Sequence, residues 1–211
     1  MFDTISPNYD KLNRIMTFSL DQNWRRQTLR SLELPAKALI LDLACGTGDF
    51  VKLARHEGYR CVGTDFSFGM ISHSQLSDDL VVSDALDLSF KNDSFDGVTC
   101  GFALRNFTEL PPVFQELARV LNSGGRIALL EVARPQSLVM RAGHGIYFNR
   151  IVPFIGGLLS DKKAYSYLPA SVSYLPPPAS IIELLVKTGF YNVSHKLLTS
   201  GAAQLFTATK A

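Results

Sequence analysis

Residues 40–49 read Ile-Leu-Asp-Leu-Ala-Cys-Gly-Thr-Gly-Asp, and they restrict the fold more than any other stretch of this 211-residue chain. A short apolar run bounded by glycines suits a strand covered on both faces, with Asp42 as its one charged residue. Gly46 and Gly48 leave out side chains where the backbone must turn sharply and where a ligand could approach it. Asp49 follows at the first turn of a predicted helix over 49–56, a favourable place for an acid. Strand, glycine turn and helix in that order call for a sheet edge at which a ligand can sit.

Two details narrow the ligand. The third glycine of the dinucleotide fingerprint is missing, since Val51 follows Gly46-Thr47-Gly48 three residues on. This weakens the case for a pyrophosphate. Residues 60–65 read as the next strand and end in Asp65, well placed to accept hydrogen bonds from a ribose diol. A nucleoside without a pyrophosphate meets both conditions, and S-adenosyl-L-methionine is the commonest such cofactor. With Asp84-Ala85 ending the third strand, the segment resembles the class I S-adenosylmethionine-dependent methyltransferases.

The rest of the chain repeats strand and helix. Helical spacing is predicted over 2–21 and again over 24–34, closed by Pro35. Strands are predicted over 38–43, 60–65, 80–83, 97–101 and 126–132, with helices over 49–56, 68–75 and 111–121 between them. Ser67 is a candidate cap for the 68–75 helix, and Gly124-Gly125 a candidate left-handed terminus after 121. A helix over 179–188 and a hairpin of strands over 192–198 and 204–209 finish the chain. The expected architecture is α/β: a Rossmann-like class I methyltransferase fold with a seven-stranded, mostly parallel sheet, one antiparallel strand at its end, and helices on both faces. One domain over 1–211 is expected, with residues 1–34 as a helical cover and residues 134–178 as a substrate-binding insertion or lid.

Composition excludes several classes. A net charge of +2 and the lack of a basic run with interleaved aromatics give no support for a nucleic-acid partner. Cys45, Cys61 and Cys100 match no metal spacing and read as buried thiols of a reducing compartment. No basic-then-apolar leader opens the sequence, and the uncharged run 151–160, interrupted by Pro153, Gly156 and Gly157, is too short to span a bilayer. A cytoplasmic enzyme is expected. Residues 146–159 carry enough Ile, Leu, Phe and Tyr to hold a prenyl chain or to rest on a membrane surface.

A closer resemblance covers nearly the whole length. Phe2-Asp3, Tyr9-Asp10-Lys11-Leu12-Asn13 and Trp24 precede the glycine turn; Phe102-Ala103-Leu104-Arg105-Asn106, Arg119-Val120-Leu121, Gly124-Gly125-Arg126, Glu131, Tyr165-Ser166-Tyr167-Leu168 and Gly189-Phe190 follow it. In these pieces the chain resembles the ubiquinone/menaquinone biosynthesis C-methyltransferases. It departs from them at Asp21, where the family has His, and at Gly101, where it has Ser or a similar polar residue. Lesser departures are Asn122-Ser123 in place of Lys-Pro and Ala133 in place of Ser.

The resemblance implies C-methylation of a demethylated prenyl quinol, with peripheral membrane contact and a homodimer both compatible with the chain. Cofactor contacts are expected from Gly46, Thr47, Gly48, Asp65, Phe66, Met70, Asp84, Ala85 and Gly101. Asp42 is expected to support the loop through backbone hydrogen bonds. Arg105 and Asn106 are expected at the ring hydroxyl, where Arg105, always protonated, would stabilise a developing phenolate and position water. Tyr9 would close over the site. A methyltransferase for another small hydroxylated molecule, and a cofactor-binding assembly partner without catalysis, are the competing readings. Among the histidines only His144 is a candidate base; His56 and His195 read as surface residues and His73 as unpartnered.

Overall fold

The computed structural model describes Arg14, Thr17, residues 19–74, Leu76, and residues 79–133 and 174–211. Tyr9, Asp10, His144 and nearly all of the expected insertion lie outside these residues. The elements in order are α1 (Leu20–Arg30), β1 (Leu39–Leu43), α2 (Asp49–His56), β2 (Arg60–Asp65), α3 (Phe68–Ser72), β3 (Leu80–Val82), β4 (Phe95–Gly101), α4 (Leu110–Val120), β5 (Leu121–Val132), α5 (Pro178–Lys187), β6 (Phe190–Leu198) and β7 (Ala203–Lys210). Short 3₁₀ turns occupy Leu104–Asn106 and Thr199–Gly201.

The sheet has seven strands in the order β3-β2-β1-β4-β5-β7-β6. β1 to β5 pair in parallel, while β7 runs antiparallel to both of its neighbours. The expected single reversed strand is therefore present, but it is not at the end of the sheet. β7 lies inside and β6 takes the edge. The cause is burial: Leu205 and Phe206 of β7 are buried, whereas β6 exposes Ser194 and Lys196 along its solvent side. Polar residues of that kind suit an unpaired edge.

Alternation along the strands builds two cores. Leu41, Leu43, Val98, Ile127 and Leu129 face α4 and α5 in one cluster. Ile40, Ala128 and Leu130, one residue out of phase, face α1 and α2 in the other. On α4 the buried residues Leu110, Val113, Phe114, Leu117 and Val120 recur at helical spacing. Each large one contributes roughly 1.5–3 kcal/mol by leaving water. α1 does the same for the opposite face with Trp24, Thr28 and Leu29. Trp24 also donates its indole N–H to the Thr199 hydroxyl at 2.8 Å, which ties α1 to the turn before β7.

Three boundaries differ from expectation for identifiable reasons. The break before α1 falls at Ser19, whose φ is 59°, so Asp21 and Trp24 share one helix. α4 does not end on a left-handed glycine: Leu121 is already extended and enters β5, and Gly124 turns the chain three residues later at φ 76°. α3 is short, with the Ser67 hydroxyl accepting from Met70 N at 3.2 Å as the expected cap. The segment between β3 and β4 is held by Arg119, which donates to the carbonyls of Leu88 and Phe90 at 2.9 and 2.8 Å and pairs with Glu116 at 2.7 Å.

Candidate active site

The strand order reverses direction between β1 and β4. Ligands of open parallel sheets bind beyond the carboxyl ends of the strands at such a point. A cavity of about 430 Å³ lies there, within the range of small-molecule sites. Of the expected cofactor residues its wall includes Gly46, Asp65, Phe66, Met70, Asp84, Ala85 and Gly101, and of the expected catalytic ones Asn106. Thr47, Gly48 and Arg105 are not among the lining residues. Thr47 is buried beneath the turn, with its carbonyl accepting from the Ser74 hydroxyl at 2.8 Å. Gly48 directly precedes α2.

Asp65 holds the glycine turn in place. One carboxylate oxygen accepts from Gly46 N at 2.8 Å. The other accepts from Ser67 N at 2.8 Å. The carboxylate also lies on the cavity wall, at the end of β2. Gly46 itself has a φ of 58°. A Cβ there would stand 3.1 Å from Met70 Cε, so the thioether would have to yield by a few tenths of an ångström. Phe66 is 76% exposed at the rim. Such a large ring is able to cover a flat ligand. Ala44 and Phe102, also on the wall, take positive φ of 53° and 61°. Strain of this kind in non-glycine residues clusters at binding sites.

Asp42 departs from expectation. It is 1% exposed on the cavity wall, and it accepts from the Thr99 hydroxyl at 2.9 Å across the β1–β4 register, rather than from loop backbone. Burial, only partly offset by Thr99 and by the charge of Arg25, raises its pKa to about 7 from the ordinary 3.8, because a low-dielectric surrounding disfavours the charged form. Between those values the folded protein keeps a proton that the unfolded chain has lost. Stability of the ligand-free protein should therefore fall as pH rises from about 4 to about 7, by roughly 4 kcal/mol in total. Asp42→Asn should remove that decline in urea titrations across the range. A wild-type to variant difference that stays constant with pH would contradict it. Burial likewise pushes the thiols of Cys45, Cys61 and Cys100 far up, which leaves them inert as nucleophiles.

Arg105 aims its guanidinium at Glu131 rather than into the cavity. Its Nη1 donates to Glu131 Oε1 in an ion pair whose side chains are 8% and 0% exposed. Its backbone N–H donates to Glu131 Oε2 at 3.3 Å, and Val132 N donates to Oε1 at 2.7 Å. The pair anchors the 3₁₀ turn Leu104–Asn106 to β5 and presents Asn106 to the cavity.

The buried Arg25 of α1 also lies on the wall and has no counterpart among the expected site residues. Its helix-face partners Asp21, Trp24, Thr28 and Leu29 recur at i, i+3 and i+4 spacing, and that periodicity was the available signal. The histidines lie elsewhere. His73 Nδ1 is 2.7 Å from the Gly69 carbonyl, so it has a partner. His195 is half-buried against Phe206 rather than a free surface group.

The profile of the ubiE/COQ5 methyltransferase family matches residues 1–210. The chain belongs to that family. It is 40% identical over 219 residues to a demethylmenaquinone methyltransferase of Roseiflexus castenholzii, covering 100% of this chain and 92% of the relative. It is 34% identical over 222 residues to the ubiquinone/menaquinone biosynthesis C-methyltransferase UbiE of Geotalea daltonii, covering 100% and 94%. In fold it is similar to a Thermotoga maritima SAM-dependent methyltransferase, with TM-score 0.71 at 17% identity over 100% of this chain and 98% of that one. This member of the ubiE/COQ5 family is thus an S-adenosylmethionine-dependent methyltransferase with a class I fold.

The cavity suits that cofactor on its own terms. It offers a carboxylate in Asp65, an apolar cover in Phe66 and Met70, a side-chain-free approach at Gly46, and a buried cation in Arg25. A mostly apolar wall with a few placed polar groups is the usual make-up of a cofactor site.

Proposed function

We propose that this methyltransferase methylates a ring carbon of a demethylated prenyl quinol on the way to menaquinone or ubiquinone. The observation that carries the reading is the match to relatives of that name along the whole chain.

S-adenosylmethionine supplies an electrophilic methyl group on a sulfonium, and the protein supplies alignment and electrostatics. Asp65 is assigned to the ribose hydroxyls, Phe66 and Met70 to the faces of the adenine, Asp84 to its amino group, and the Gly46 turn with Thr47 and Gly48 to the methionine end. Ala85 and Gly101 complete the wall. A ring carbon becomes nucleophilic when the neighbouring hydroxyl loses its proton. Asn106 carries no charge and cannot take that proton, so its role is to hold the hydroxyl and a water that relays the proton out to solvent. Arg105 steadies the turn through Glu131; its role at the developing phenolate is assigned by resemblance alone. Tyr9, assigned by resemblance alone, closes the site.

No described helix is long and apolar enough to cross a membrane. A prenylated acceptor would then be met at a surface, through the apolar residues of 146–159. The test is methyl transfer from labelled S-adenosylmethionine to demethylmenaquinol and to the demethylated ubiquinone precursor. Label in either product is expected and names the ring. Confirmed cofactor binding with no label in either would overturn the quinol reading.

A further inference from the structure

We propose that the Arg25 guanidinium receives the carboxylate at the methionine end of the cofactor, in a space that exists because residue 101 is glycine. The inference rests on S-adenosylmethionine being the cofactor and deepens that reading.

Arg25 is a buried cation whose donors are not used up. It is 8% exposed, and its Nε is buried with no hydrogen-bond partner among the described residues. Asp21 Oδ2 and Asp49 Oδ2 form ion pairs with it, but each stands 3.9 Å from Nε. That is beyond hydrogen-bonding distance. Phe50 and Phe102 hold the guanidinium carbon 4.9 and 5.5 Å from their ring centroids. The rings fix the plane of the group and accept no conventional hydrogen bond. A buried donor left in this condition is costly unless something answers it, and the guanidinium lies on the cavity wall. Its planar fork of N–H donors is matched in geometry to a carboxylate.

The surroundings favour the zwitterionic end of the ligand. Asp42 follows Ile40 by two residues on β1, so it shares the face of the sheet that α1 covers. Asp42 and Arg25 also share the cavity wall, an acid and a cation suited to an α-ammonium and an α-carboxylate together. Gly101 supplies the room. A Cβ there would stand 3.0 Å from Arg25 Nη1 and 2.7 Å from Phe50 Cε2, so any side chain at 101 would displace the fork or the ring beneath it.

Calorimetry on the full chain with S-adenosylmethionine and with decarboxylated S-adenosylmethionine, which lacks only the carboxylate, separates this role from a structural one. Arg25→Met should weaken binding of the first ligand by roughly tenfold or more and leave the second within about twofold. Arg25→Lys should recover part of the loss. Gly101→Ser in the otherwise native chain should also act on the carboxylate-bearing ligand selectively, and it does not depend on how the Arg25 variants fold. Equal losses for both ligands, or equal affinity of the native protein for both, would overturn the proposal. A native protein that binds neither ligand would overturn the cofactor reading, and this assignment with it.

Discussion

Arg105→Ala is expected to destabilise the protein by roughly 3–5 kcal/mol, more than its part in catalysis alone would suggest. The alanine leaves Glu131 without its cation inside a strand where the side chain is fully buried. Two backbone donors remain, from residue 105 itself and Val132, and they do not neutralise a charge. Chemical denaturation of Arg105→Ala, Glu131→Gln and the double variant Arg105→Met with Glu131→Leu tests this. Each single change should cost more than the double one, because replacing a buried pair by apolar groups of similar size is often close to neutral. If Arg105→Ala unfolds at the same urea concentration as the native protein, the pair is not a structural anchor. In a variant that stays folded, turnover should fall while cofactor affinity holds. Loss of cofactor binding instead would make Arg105 a cofactor residue.

Asp65→Ala should weaken S-adenosylmethionine binding by roughly 1–3 kcal/mol, or about fivefold to 150-fold. Two causes act together. The carboxylate on the cavity wall is the acceptor assigned to the ribose diol, and it also fixes the backbone of Gly46 and Ser67 on either side of the cavity. Asp65→Asn separates them in part: it keeps an acceptor oxygen but replaces the other with a donor, which must turn away from one of the two backbone N–H groups. Its affinity should fall between those of the native and alanine proteins. Unchanged affinity in Asp65→Ala would remove Asp65 from the ribose assignment.

The legible part of the site was the part written in consecutive residues. The glycine turn, Asp65 and Asp84-Ala85 each end a strand, and parallel strands place all such ends on one edge. Arg25 could be found only through the helical spacing it shares with Asp21, Trp24, Thr28 and Leu29, since Trp24-Arg25-Arg26 by itself does not say which arginine faces inward; Arg26 is exposed and Arg25 buried. Arg105 was placed in the right turn, but its ion pair was not foreseen. Its direction depends on Glu131, 26 residues later and on the strand next to β4. Asp42 was read as a loop support, and its true partner, Thr99, becomes its neighbour only through the β1–β4 register.

What the sequence determined by itself was local: apolar runs that must be strands, periodic faces that must be helices, and short links that impose parallel pairing. Backbone geometry and the removal of apolar surface from water act over a few residues, so they can be read along the chain. Tertiary structure alone decided that β7 lies inside β6, that Asp42 is buried on the wall it shares with Arg25, and that Arg105 directs its charge to Glu131. Each of these depends on which distant groups share a low-dielectric interior, and only the folded packing brings them together.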